Sequence, residues 1–137
     1  MAVYTITSLN PGGQVGKVAI AGEALVFGDL LYISATGTVL KADCNGSPDG
    51  QLKSTVCGMA LNTAAAGQPV NYLGSGEVTV DTSLFAGVGR LFVQSQTAGK
   101  MMDAADLAAS DWVTHVGYST SVSKLMIDIN VLAIQRT

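Results

Sequence analysis

Charge is scarce in this chain. Asp, Glu, Lys and Arg make up only 12% of the residues, about half the roughly 25% of an ordinary soluble domain. The seven basic residues are scattered and the net charge is −3. A protein that grips phosphate backbones needs clustered Lys and Arg, so a nucleic-acid partner is not expected. Aromatics are few as well, at 6%. There is a single histidine, His115, and the two cysteines, Cys44 and Cys57, stand 13 residues apart with no zinc-like spacing around them. Neither a metal nor a cofactor is expected. In a reducing compartment both thiols stay free, and Cys57, within Thr55-Val56-Cys57-Gly58-Met59-Ala60-Leu61, reads as a small buried hydrophobe. No apolar run approaches the roughly 18 residues of a membrane span. The opening MAVYTITSLNPGGQVGK lacks the charged start and continuous apolar stretch of a secretory signal. Synthesis in the cytoplasm and no membrane partner are the expectation.

Apolar residues, by contrast, are plentiful. At 137 residues and 48% hydrophobic, the chain is long enough to bury a core without disulfides or metals. With so little charge, much of the surface must be Thr, Ser, Asn, Gln and Gly. Such a surface is cheap to bury against a partner, which points to assembly.

Short runs of Val, Ile, Leu, Tyr and Thr recur between Gly, Asn, Ser and Pro, the pattern of strands joined by turns. The spacing predicts strands over Val3–Ser8, Lys17–Ala21, Leu30–Ser34, Thr38–Ala42, Thr55–Leu61, Pro69–Leu73, Glu77–Asp81, Arg90–Gln94, Trp112–Ser119 and Lys124–Ile134. In the last, Leu125, Ile127, Ile129 and Val131 alternate with polar or flexible neighbours and should face the core. Asn62–Gly67 reads as a turn and Met102–Ser110 as one or two helical turns.

An internal resemblance outweighs any single motif. Gly28–Ser34 followed by Gly37–Asp43 matches Gly89–Ser95 followed by Gly99–Asp103; Thr55–Ala60 then parallels Thr114–Ser119, and Pro69–Leu73 parallels Lys124–Asp128. The offset stays at about 60 residues. Each half has too few strands to bury both faces, so two copies packed together solve the core and edge problems at once. The expected fold is all-β: a small pseudo-symmetric β-barrel, β-tulip or sandwich over residues 17–137, with halves at about 17–75 and 76–137. Residues 1–16 lie outside the repeat and are expected to form an arm reaching beyond it. Its Val3, Tyr4, Ile6 and Leu9 would contact a neighbouring subunit or another partner surface by strand addition or apolar docking, and deleting residues 1–14 should leave a folded domain.

Catalytic constellations are hard to assemble from these residues. His115 is the one candidate base for acyl transfer, and strand alternation places it among Val113 and Gly117 or in solvent. Gly74-Ser75-Gly76 is too short for a nucleophile elbow and reads as a turn. Gly12-Gly13-Gln14-Val15-Gly16-Lys17 lacks the spacing of a phosphate loop and reads as a hinge. The ten acidic residues mostly fall in turns. Asp43-Cys44-Asn45-Gly46-Ser47-Pro48-Asp49-Gly50 offers oxygen donors at alternate positions, but Pro48 stands where a calcium loop needs its glycine, so a solvated hairpin loop is the cheaper reading. Trp112 with Tyr118, or Tyr4 with Tyr32, would serve as a sugar platform only if exposed, and core packing accounts for them. No enzymatic activity is expected.

The run Gly22–Ile33, then Gly37–Ala42, Val56–Leu61, Ala64–Val70, Gly74–Val78, Gly89–Val93 and Val116–Tyr118 resembles the capsid decoration, or cement, proteins of tailed bacteriophages, over most of residues 17–134. That resemblance implies a small β-barrel or β-tulip domain on the outer surface of a phage head, at junctions between major capsid protein subunits. It implies a homo-oligomer, commonly a trimer, and no catalysis. A receptor- or carbohydrate-binding module of a phage head or fibre is the alternative, because such modules share the same small-residue and β-branched patterns.

Overall fold

The alternating runs form two antiparallel sheets in the computed structural model, which describes residues 3–14, 16–44, 50–95, 97–109 and 111–136. The five-stranded sheet holds β2 (Lys17–Ile20), β3 (Leu30–Ile33), β4 (Val39–Lys41), β5 (Val56–Ala60) and β6 (Pro69–Leu73), in the order β2-β6-β5-β3-β4. The six-stranded sheet holds β1 (Val3–Tyr4), β7 (Ser75–Thr79), β8 (Leu91–Gln94), β9 (Met101–Asp103), β10 (Trp112–Ser121) and β11 (Lys124–Gln135), in the order β1-β9-β8-β10-β11-β7. Among the described residues helix is confined to one turn at Gly50–Lys53 and a 3-10 turn at Ala104–Asp106. The helical expectation for Met102–Ser110 therefore shrinks to that 3-10 turn, because Met101–Asp103 pairs as a strand with β8.

One strand order maps onto the other when β2 to β6 are set against β7 to β11 in sequence, with β1 left over. Details repeat too. On β5 and β3, Gly58 lies opposite Leu31 and Val56 opposite Tyr32, skipping Cys57. On β10 and β8, Gly117 lies opposite Phe92 and His115 opposite Val93, skipping Val116. Each half thus carries the same one-residue bulge beside the same glycine. The Gly28 N–H donates to the Ala60 carbonyl at 2.8 Å, as the Gly89 N–H does to Ser119 at 2.7 Å. Gly74 switches the chain from one sheet to the other, so Gly74-Ser75-Gly76 is not a hairpin turn and Ser75 already begins β7.

The main core lies between the sheets. Leu30, Tyr32, Met59 and Leu73 on one side meet Phe92, Val116, Leu125 and Ile127 on the other. The far face of the five-stranded sheet has its own smaller core, in which Leu31, Val39, Val70 and Tyr72 close on Ala21, Leu25 and Ala64. A chain turn holds this plug in place through paired bonds between Leu25 and Ala64, 2.8 and 3.0 Å. Neither sheet closes into a barrel. Single bridges tie their edges instead: Ala21, directly after β2, meets Val39 on β4.

The N-terminal segment is not an arm over its described residues. Val3 and Tyr4 pair with Met102 and Met101 on β9 at one edge of the six-stranded sheet. Asn10 bridges Thr79 on β7 at the opposite edge, through bonds of 2.8 and 2.9 Å. Six strand spacings laid flat would separate those sites by about 29 Å, whereas six residues reach about 20 Å. The sheet must curl, and the segment is the strap across its open side. Ile6, between the two anchors, is 7% exposed in the main core. The segment folds back instead of reaching out because β9, β7 and the rings of Phe85 and Phe92 offer it backbone partners and apolar cover within its own chain.

Candidate assembly surface

The four residues expected to touch a partner are mostly occupied at home. Tyr4 packs edge-on against Phe85 and Phe92, with ring centroids 5.6 and 5.1 Å away. Its hydroxyl donates to Asp103 Oδ1 at 3.0 Å. Burial, and then that bond to Asp103, raise its pKa. Leu9 packs against the main core and Ile6 lies inside it. Val3 is half-buried on β1, the edge strand. Thr7 pins the segment further: its N–H and hydroxyl donate to the two oxygens of Asp81 at 2.8 and 2.5 Å, and these bonds hold that carboxyl below the ordinary carboxylate value. Pro11–Gln14 is a closed turn with Gly12 and Gly13 at positive φ, rather than a loose hinge.

The other sequence candidates are scattered. His115 is half-buried on β10, opposite Val93 and Asn130. Tyr32 is buried in the main core, whereas Trp112 and Tyr118 lie near opposite ends of β10, the first half-buried and the second exposed. Most of the Asp43–Gly50 loop, residues 45–49, lies outside the described residues. Among the described residues no cluster of three His, Cys, Asp or Glu side chains could hold a metal ion. Cys44 is buried, and burial pushes its thiol up to about 12; half-buried Cys57 packs on the smaller core and is pushed up to about 11, again by burial first. Both are neutral thiols near pH 7.

What the structure adds is a set of open apolar positions. On edge strand β2, Val18 is 65% and Ile20 46% exposed, on the face opposite Ala19, which packs on the smaller core. Beside them runs a groove of about 400 Å³ lined by Pro11, Gln14, Gly16, Leu61 and Asn71. On the outer side of the six-stranded sheet, Leu91 and Tyr118 are exposed opposite each other. Periodicity alone could have marked Val18 and Ile20 as one face of a strand, but not as an uncovered one, because coverage depends on which strands end up at the edge. Among the described residues no helix is long and apolar enough to cross a membrane. No protein-family model and no curated protein sequence matches this chain.

Proposed function

We propose that this chain is a structural virion protein that binds the outer surface of a phage capsid and stabilises the lattice at inter-capsomer junctions, without catalysing a reaction. Its partners are the major capsid protein and further copies of itself, as a trimer on the lattice. The observation that carries the reading is the exterior: only 12% of residues are charged, while apolar side chains stand open on an edge strand and a sheet face. Such surface gains free energy when covered, and weak contacts repeated on a symmetric shell add up through multivalency. The sequence resemblance to phage cement proteins supports the same conclusion.

Because residues 3–10 are packed against their own chain, the capsid contact falls to β2 and its groove. Edge strands with exposed apolar side chains are the natural docking element. The test mixes purified protein with undecorated phage heads and measures co-sedimentation and the heat resistance of the heads. Stoichiometric binding is expected, and Val18→Asp with Ile20→Asp should abolish it while leaving the circular dichroism unchanged. Binding to host cells with no affinity for heads would overturn the proposal in favour of a receptor-binding module.

A further inference from the structure

The hairpin of β8 and β9 ends in a tip, residues 97–100, that is seated in the first half of the chain. Gly99 accepts from the Leu30 N–H and donates to the Ala42 carbonyl, both at 2.8 Å. Its neighbour Lys100 reaches the buried carboxylate of Asp29, 3.5 Å away. A methyl placed on Gly99 would lie 3.0 Å from Asp29 Oδ1 and 3.4 Å from Lys41 Cγ. Asp29, Leu30, Lys41 and Ala42 thus form the seat. The strand registers fix their counterparts: Leu31 stands opposite Lys41 and Gly58 as Phe92 stands opposite Asp103 and Gly117. The four seat residues therefore correspond to Arg90, Leu91, Asp103 and Ala104. Those same residues, with Ala105, line a surface pocket of about 240 Å³. The tip of the first half is just as uncommitted. Gly37 turns β3 into β4 at φ 87, as Gly99 turns β8 into β9 at φ 79. Yet among the described residues no atom lies within 4 Å of a methyl placed on Gly37, and Ala35, Thr36 and Gly37 are exposed. One half has a filled seat and a free tip; the other has a seated tip and an open seat.

We infer that the tip at residues 34–38 of a second copy docks in the pocket between Arg90 and Ala105, joining copies head to tail as one half joins the next within the chain. The charges suit this occupant. In the filled seat Asp29 takes its partner, Lys100, from the tip. In the open seat Arg90 and Asp103 already pair with each other at 2.9 Å, and the Tyr4 hydroxyl donates to the second oxygen of Asp103. Such a seat calls for an uncharged tip, and Asp106 in the adjoining 3-10 turn does not repel one. Thr38 stands where Lys100 does, and the hydroxyls of Ser34, Thr36 and Thr38 hold one another at 3.0, 3.0 and 3.4 Å. The tip is neutral and already shaped. Glu77 stands three strands away from β8, on β7, outside the seat. Nor does the plug obstruct the approach. Leu25 bonds to Ala64 as Phe85 bonds to Val122 in the second half, at 2.8 and 2.9 Å, and Phe85 lies within the core where the halves meet. Tip and seat are different surfaces, so the contact is heterologous and builds a ring where the rotation closes and a chain otherwise. It uses neither β2 nor its groove, and it rests on the repeat rather than on capsid binding.

Sedimentation of the full chain from micromolar concentrations to about 1 mM tests this, and association is expected. Thr36→Arg, which spoils the tip, and Ala105→Arg, which fills the seat, should each raise the dissociation constant at least about tenfold. An equimolar mixture of the two should form a one-to-one pair, because each variant keeps the surface that the other lacks. A self-complementary contact would not be restored in this way. In parallel, Thr36→Cys mixed with Ala105→Cys should cross-link through a short bismaleimide, whereas either variant alone should give no more product than the parent, which carries the same Cys44 and Cys57. This pair of small substitutions decides the question even if an arginine variant fails to fold. The inference is overturned by a parent that stays single up to about 1 mM, or by association that both arginine variants leave unchanged. It is also overturned by folded arginine variants that do not pair when mixed, or by cysteine variants that do not cross-link. Loss of head binding with association intact would sink the capsid reading alone, and head binding by a chain that never associates would sink this one alone.

Discussion

Gly58 and Gly117 occupy the bulges of β5 and β10, and neither has room for a side chain. A Cβ on Gly58 would lie 2.8 Å from the carbonyl oxygen of Leu73, and one on Gly117 would run into the carbonyl of Met126. Gly117→Ala should therefore destabilise the protein by about 3 kcal/mol, since a backbone must move. Gly37→Ala, at φ 87 with open space around it, should cost only about 1 kcal/mol from its left-handed conformation; urea denaturation of both variants checks the contrast. Both glycines are visible in the sequence as matched punctuation, but their reason is a neighbouring strand that no local window contains. At Asp81 the Thr7 hydroxyl and N–H favour the ionised carboxylate. A lowered folded-state pKa means stabilisation that is complete above the ordinary carboxylate range and lost as pH falls through the lowered value. Asp81→Asn should cost under about 1 kcal/mol at pH 7, because the site is exposed and screened. The deficit relative to the parent should shrink as the pH of thermal melts is taken below 4.

The strap from Val3 to Asn10 acts as an element although only two of its residues form a strand. Ile6→Ala removes a side chain 7% exposed in the core and should cost about 2–4 kcal/mol. Removing residues 1–10 should cost more, since it uncovers Phe85 and Phe92 and frees both sheet edges. A chain lacking residues 1–10 that melts at the parent's temperature would mean that the strap's contacts contribute nothing. In the sequence Val3–Ser8 is a strand-like run that falls outside the repeat, where it has no counterpart in the second half. Its partners, on β9 and β7, are some seventy to one hundred residues further along, at Thr79 and at Met101 and Met102. By contrast β11 was legible from alternation alone: Leu125 and Ile127 are fully buried, and Ile129 packs against the same core. The plug at Leu25 was invisible, as a lone leucine between turns shows no period.

At the scale of the whole molecule, the repeat conveyed which strands are equivalent but not how the halves stack. Leu30 and Leu91 look alike in sequence and pair alike, yet the first is fully buried and the second 41% exposed. Position in the stack decides, and no local pattern records it. The main core draws on both sheets, so neither half can cover its apolar face alone. Urea unfolding should therefore be a single transition, with the fluorescence of Trp112 and far-UV circular dichroism coinciding. Two separated transitions would mean that the halves fold independently. The strap also sets a schedule for synthesis. Tyr4 bonds to Asp103, 99 residues later, so during synthesis the strap waits until Asp103 has left the ribosome. Until then Tyr4 and Ile6 remain uncovered, and the nascent domain must either fold late and slowly or rely on a chaperone to shield the strap.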